Sequence, residues 1–156
     1  MKREYDSIYP TIPTKVKHDK MFEKPRRILA KEIMSKNIVS FKPDDHVTKA
    51  IDALLYHNIT GAPVVDDNNM LIGIISEKDL LQLALSEAFM NSMEGYIEDY
   101  MTTHVISIRP ETDLYEIAQL LNQYSFRRVP VTEGTKVVGV VSRKDALTCL
   151  QKLLTS

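Results

Sequence analysis

Apolar residues follow two different periods along this chain, and each period occurs twice. Val47, Ala50, Ile51, Leu54 and Leu55 stand at helical spacing, and Leu114, Ile117, Ala118 and Leu121 repeat it. Each helical pattern is followed by two short β-rich runs around a polar turn. In the first copy Ala62-Pro63-Val64-Val65 and Gly73-Ile74-Ile75 flank Asp67-Asn68-Asn69. In the second, Val129-Pro130-Val131-Thr132 and Gly139-Val140-Val141 flank Glu133-Gly134-Thr135. These runs predict hairpins. Short apolar strands are expected ahead of the helices, at Ile38-Val39 and Val105-Ile106. Closing helices are expected from Asp79 to Leu85 and from Asp145 to Leu154. Asp44, Asp45, Thr112 and Asp113 follow prolines and are expected to cap the first helix of each copy. Each copy therefore predicts β-α-β-β-α.

The two copies align residue by residue. Met34 to Pro43 matches Met101 to Pro110 without a gap, and Pro63 matches Pro130. One residue is lost at the hairpin turn, after which Gly73, Ser76 and Asp79 match Gly139, Ser142 and Asp145. An internal repeat sets architecture before any single motif does. The expected organisation is an N-terminal arm over 1–28, a first repeat over 29–90, a linker over 91–97 and a second repeat over 98–156. One unit of this size buries little surface. The expected fold is α/β (α+β), with the tandem units packed through their sheets.

Composition narrows the function classes. At 156 residues, 44% hydrophobic and 26% charged, the chain has the make-up of a globular domain. Its single cysteine, Cys149, excludes an internal disulfide framework and falls in an apolar helical pattern. No apolar run reaches the length of a membrane span and no secretory core precedes the first polar residues, so a cytoplasmic protein is expected. The net charge of −1 hides an asymmetry. Residues 1–27 carry eight Lys/Arg and four Asp/Glu, against twelve and seventeen in the remainder. The preferred reading of the arm is docking on the acidic body; an acidic partner or nucleic acid is the alternative. Pro10-Thr-Ile-Pro13 also fits a PxxP ligand.

The repeated polar residues admit two readings. Ser76-Glu-Lys-Asp79 and Ser142-Arg-Lys-Asp145 each fit a capping box at a strand-to-helix turn. The same turn presents free backbone N–H groups and a hydroxyl to phosphate oxygens, and a carboxylate that can accept from the vicinal diol of a ribose. Gly73 and Gly139 would let a ligand or backbone approach. Ile38, Val39 and Ala62, with Val105, Ile106 and Val129, would sandwich a flat base. Structure and function read equally well from these residues alone.

Together these features resemble the CBS domain family in the paired arrangement called a Bateman module, here as a small stand-alone member, over roughly residues 29–154. The shared marks are the segments before Pro43 and Pro110, the x-Pro-Val strand, and the Gly-h-h-Ser-x-x-Asp turn. The resemblance implies pseudo-two-fold symmetry and clefts between the units that take AMP, ADP, ATP, S-adenosylmethionine or sometimes NAD. It implies that Asp79 and Asp145 hold ribose, that Ser76 and Ser142 lie near ribose or phosphate, and that Ile38-Val39-Ser40 and Val105-Ile106-Ser107 contact the base. Ala62-Pro63 and Val129-Pro130 complete the expected lining. Arg127 and Arg128, ahead of Pro130, are expected on phosphate; the first copy has Thr60 and Gly61 there. Which cleft gains from the arginines stays open at this point, as does whether one of them is simply solvated. The resemblance also implies a homodimer.

Against catalysis, the four histidines show no metal spacing and no nucleophile elbow or P-loop occurs. No metal and no resident cofactor are expected. The function expected is a regulatory sensor of adenosine-containing nucleotides acting on a protein partner that the sequence does not name. The alternatives are a structural dimerisation module with non-functional pockets, or nucleic-acid binding through the basic arm.

Overall fold

The computed structural model describes residues 26–92, 94–124 and 127–156. Nearly all of the expected arm, including the Pro10-Pro13 match, lies outside the described residues. In chain order the elements are α1 (Ala30–Ile33), α2 (Val47–His57), β1 (Gly61–Val65) and β2 (Leu71–Ser76). Then come α3 (Glu77–Leu81), which runs into a 3₁₀ turn at Gln82–Leu85, α4 (Glu87–Ser92) and α5 (Ile97–Tyr100). The second copy supplies α6 (Leu114–Gln123), β3 (Arg128–Glu133), β4 (Lys136–Ser142) and α7 (Arg143–Thr155). The hairpins β1-β2 and β3-β4 are antiparallel, each with a register shift near its turn. Asn69 and Gly134 take the positive φ that these turns need (62° and 61°). Asp66 tightens the first turn by accepting from the N–H groups of Asn68 and Met70.

The expected leading strands shrink to one residue each. Phe41 bridges Val64 and Ile108 bridges Val131, both in parallel. Phe41 N–H donates to the Pro63 carbonyl at 3.1 Å, and Val65 N–H donates to Phe41 at 2.8 Å. Extending this ladder back to Ile38-Val39 would require an N–H from Pro63, which has none. Pro130 stops the second copy in the same way. The helical stripes are also narrower than the sequence suggests. Val47, Ala50 and Leu54 are buried, whereas Leu55 and Ala118 face outward. The α6 cap is Asp113, as expected. The α2 cap is His46, whose ring accepts from Thr48 N–H, because Asp45 turns back to accept from Lys42 N–H at 2.8 Å.

Two cores form, one per copy, and each is completed by the other copy's leading helix. The first gathers Phe41, Val64, Ile75 and Leu80 with Ile97 from α5. The second gathers Ile108, Val131, Val141 and Ala146 with Ala30 from α1. Helix α1 docks by Ala30 and Lys31 N–H donating to the carbonyls of Thr112 and Pro110. Helix α5 docks by Ile97 and Glu98 N–H donating to Asp45 and Pro43. These are the same bonds under the repeat's pseudo-two-fold relation. Beyond each helix, Ser35 forms a two-bond bridge to Val140 and Thr102 forms one to Ile74. The packed unit is therefore out of phase with the repeat unit, and the expected linker 91–97 ends on a fully buried Ile97.

The glycines before these bridges serve this exchange. A Cβ on Gly73 would lie 2.7 Å from Met101 Sδ and 3.1 Å from the Thr102 carbonyl oxygen. A Cβ on Gly139 would lie 2.5 Å from Met34 Sδ and 2.8 Å from its Cγ. The close approach is thus made by the exchanged segment. The hairpin tips meet as well, through Leu71 N–H to Thr135 and Asn69 Nδ2 to the Val137 carbonyl. At the N-terminal edge Arg26 pairs with Glu32 and Arg27 with Asp113, so the last basic residues of the expected arm rest on acidic side chains.

Gly73→Ala and Gly139→Ala are each expected to destabilise the protein by about 1–3 kcal/mol, because methionine and backbone must move apart. Urea melts check this, and unchanged midpoints would reject the exchange as a packing constraint. Asp113 gives a second expectation. The Glu116 N–H and then Arg27 hold its carboxyl below the usual carboxylate range. A depressed folded pKa adds stability above the unfolded value and loses it as pH falls through the folded one. Melting temperature should therefore drop between about pH 5 and pH 2, and less steeply in Asp113→Asn.

Candidate functional site

The strand-to-helix turn of each copy is a reciprocal cap. Ser76 Oγ accepts from Asp79 N–H at 3.2 Å, while Asp79 Oδ2 accepts from Ser76 N–H at 2.9 Å and from its hydroxyl at 2.8 Å. Ser142 and Asp145 repeat this at 3.1, 2.8 and 2.9 Å. In each turn both bonds to the carboxylate use the same oxygen, Oδ2. Oδ1 of either aspartate has no partner among the described residues and can accept from another molecule. Capping and ligand binding thus fall on different oxygens of the same side chain.

The first of these turns opens onto a sizeable cleft. A cavity of about 440 Å³ lies between the two copies, within the range of small-ligand sites. Ser76 and Asp79 form one wall with Glu77 and Lys78. Ala62, Pro63 and Ile74 from the first hairpin and Pro130 and Val140 from the second give apolar surfaces. Arg127 and Arg128 line the same cavity, as do Thr60, Gly61 and Thr102 of the exchanged segment. Both arginines line the same cavity as Asp79, and Arg128 also lies within range of the Asp145 charge.

The remaining expected lining residues lie elsewhere. Val129 is fully buried in the second core, since alternation along β3 turns it toward the helices. Ile38, Val39 and Ser40 are half-buried, with Val39 packed against the first core. Val105 and Ser107 line a separate pocket of about 180 Å³ near the hairpin tips; Ile106 lines neither pocket. Ser142 and Asp145 line neither pocket as well. Ile74, Thr102 and Val140 were not anticipated. The signal for Thr102 was its place next to the repeated Met101, readable only once the exchange across copies is known.

The arginines differ in setting. Arg127 is exposed. Arg128 is half-buried, and its Nε is enclosed without a hydrogen-bond acceptor among the described residues. Burial lowers the Arg128 pKa from its ordinary value, partly countered by the charge of Asp145. A buried N–H without an acceptor carries a desolvation cost that an anionic ligand group would relieve. Arg143 instead folds back to donate to the carbonyls of Leu121 and Tyr124.

A family model described as CBS domain matches residues 30–86 and 97–152. The chain belongs to the CBS domain family. It is 32% identical over 134 residues to the uncharacterized protein MJ1225 of Methanocaldococcus jannaschii, covering 86% of this chain and 47% of that one. It is 26% identical over 119 residues to inosine-5′-monophosphate dehydrogenase of the same organism, covering 76% of this chain and 23% of the enzyme. The chain thus spans half or less of these relatives' lengths. Among solved structures, CBSX2, a protein of Arabidopsis thaliana, in complex with AMP superposes with a TM-score of 0.72 at 30% identity, covering 80% of this chain and 97% of that one. The CBS domain pair of protein MJ0100, in complex with 5′-methylthioadenosine and S-adenosyl-L-methionine, gives 0.70 at 26% identity, covering 82% and 99%. The fold is that of a CBS pair with two small antiparallel sheets. Among the described residues no helix is long and apolar enough to cross a membrane, and no group of three or more His, Cys, Asp or Glu is placed to hold a metal ion.

Proposed function

We propose that this CBS pair is a regulatory module that binds an adenosine-containing nucleotide in the cleft at Asp79. The observation that carries the reading is the pairing of complementary, unused groups across one cavity. Asp79 offers a free carboxylate oxygen to a sugar diol, and the guanidinium groups of Arg127 and Arg128 offer positive charge to an anion. Apolar surface from Ala62, Ile74, Pro130 and Val140 lies between them for a flat base. The complexes of CBSX2 with AMP and of MJ0100 with methylthioadenosine and S-adenosylmethionine support the ligand class. Ser76 is engaged as a cap on both sides of its hydroxyl, which favours binding over nucleophilic chemistry.

Ligand in this cleft would touch both copies and favour one arrangement of them. Control of a partner then follows from different affinities for two states. We also read the protein as a homodimer. Leu147, Leu153 and Leu154 on α7 and Leu81 and Leu85 after β2 are exposed apolar side chains that a second copy would cover.

Calorimetry with AMP, ADP, ATP, S-adenosylmethionine and NAD tests the reading. Asp79→Asn should weaken the preferred ligand at least about tenfold, from loss of charged-group hydrogen bonds. Asp145→Asn should change it far less. Replacing Arg127 and Arg128 with alanine should harm AMP more than adenosine. If the wild type binds no adenosine compound, the sensor reading fails and a structural module is left. For the dimer, light scattering should give twice the 17.8 kDa chain mass, with Leu153→Lys and Leu147→Lys shifting it to monomer. A monomeric wild type would reject that assignment.

A further inference from the structure

We infer that Arg128 shuts the pseudo-symmetric cleft at Asp145, so that the pair takes one adenosine compound and not two. The inference rests on the reading above and adds to it a stoichiometry and the residue that sets it. Both copies carry the same Ser-x-x-Asp turn, with nearly identical hydrogen bonds. They differ at the strand residue facing the serine. In the first hairpin Ser76 pairs with Gly61; in the second Ser142 pairs with Arg128. Directly opposed residues in a ladder present their side chains on one face of the sheet.

Space at these two positions is unequal in consequence. A Cβ on Gly61 would already stand 3.1 Å from the Ile75 carbonyl oxygen and 3.6 Å from Ser76 Cβ. At the matching point of the second copy a whole arginine side chain is present. It is half-buried, and Asp145 lies close enough for its charge to favour the guanidinium. The ground a ribose would need beside Ser142 and Asp145 is thus taken by the chain itself. Ser76 and Asp79, beside the small Gly61, line the cavity of about 440 Å³. Asp145 keeps the capping role and loses the sugar, while Arg128 also lines the first cleft.

The test uses the full chain and 5′-methylthioadenosine, a probe without phosphate, so that losing the arginine's charge does not itself weaken binding. Calorimetry should give one site per wild-type chain. Asp79→Asn should weaken it at least about tenfold. Asp79→Asn combined with Arg128→Gly should regain binding, and a further Asp145→Asn should remove it again. Thermal melts confirm that each variant is folded, and Arg128→Ala replaces the glycine variant if that strand unfolds. Two sites in the wild type would overturn the inference. So would folded double variants, glycine and alanine alike, that regain nothing. A wild type that binds no adenosine compound overturns the nucleoside reading, and this inference with it.

Discussion

The structure depends on the seating of each copy's leading segment against the other copy's hairpin. Met34 lies over Gly139 and Met101 over Gly73, at a distance that leaves no room for a Cβ. The segments behind them bridge to Val140 and Ile74, and the helices ahead of them fill the opposite cores with Ala30 and Ile97. Neither copy has a complete core of its own. Separating the halves would expose fully buried side chains and leave the first N–H groups of α1 and α5 without acceptors. Cleft geometry inherits this coupling, because Thr102 of an exchanged segment lines the cleft.

A second economy is the sharing of one carboxylate between fold and site. Asp79 closes the helix cap with Oδ2 and leaves Oδ1 for a ligand. A side chain held by two hydrogen bonds before ligand arrives loses little freedom on binding. In the proposed reading the same device in the second copy has the cap alone to serve, since Arg128 stands where the first copy has Gly61. Retention of a motif is therefore no measure of retention of a site.

Much of the fold was legible in the sequence. The hairpins, their turns, the second closing helix and the capping boxes stand where pattern and turn chemistry placed them, while the first closing helix gives way to a 3₁₀ turn after Leu81. Local rules also account for the departures. The leading strands stop at one residue because proline has no N–H to extend the ladder, and His46 caps α2 because Asp45 is spent on its own turn. Of the candidate site, the sequence named Ala62, Pro63, Ser76, Asp79, Arg127, Arg128 and Pro130 among residues that meet in one cleft. It also named Val129, Ser142, Asp145 and the two leading segments, which do not line that cleft.

Sequence by itself determined the doubled β-α-β-β-α order, because periodicity, caps and turns act over a few residues and repeat in register. It also carried the one asymmetry that matters, Thr60-Gly61 against Arg127-Arg128. Only the tertiary structure decided which half each leading helix completes and which aspartate shares the larger cavity with the arginines. Those choices lie in contacts between residues far apart in the chain, such as Ile74 with Thr102 and its counterpart across Ser35 and Val140. No local rule reaches that far. Two copies of one pattern can pair with themselves or exchange, and here the methionine of each copy packs on the glycine of the other.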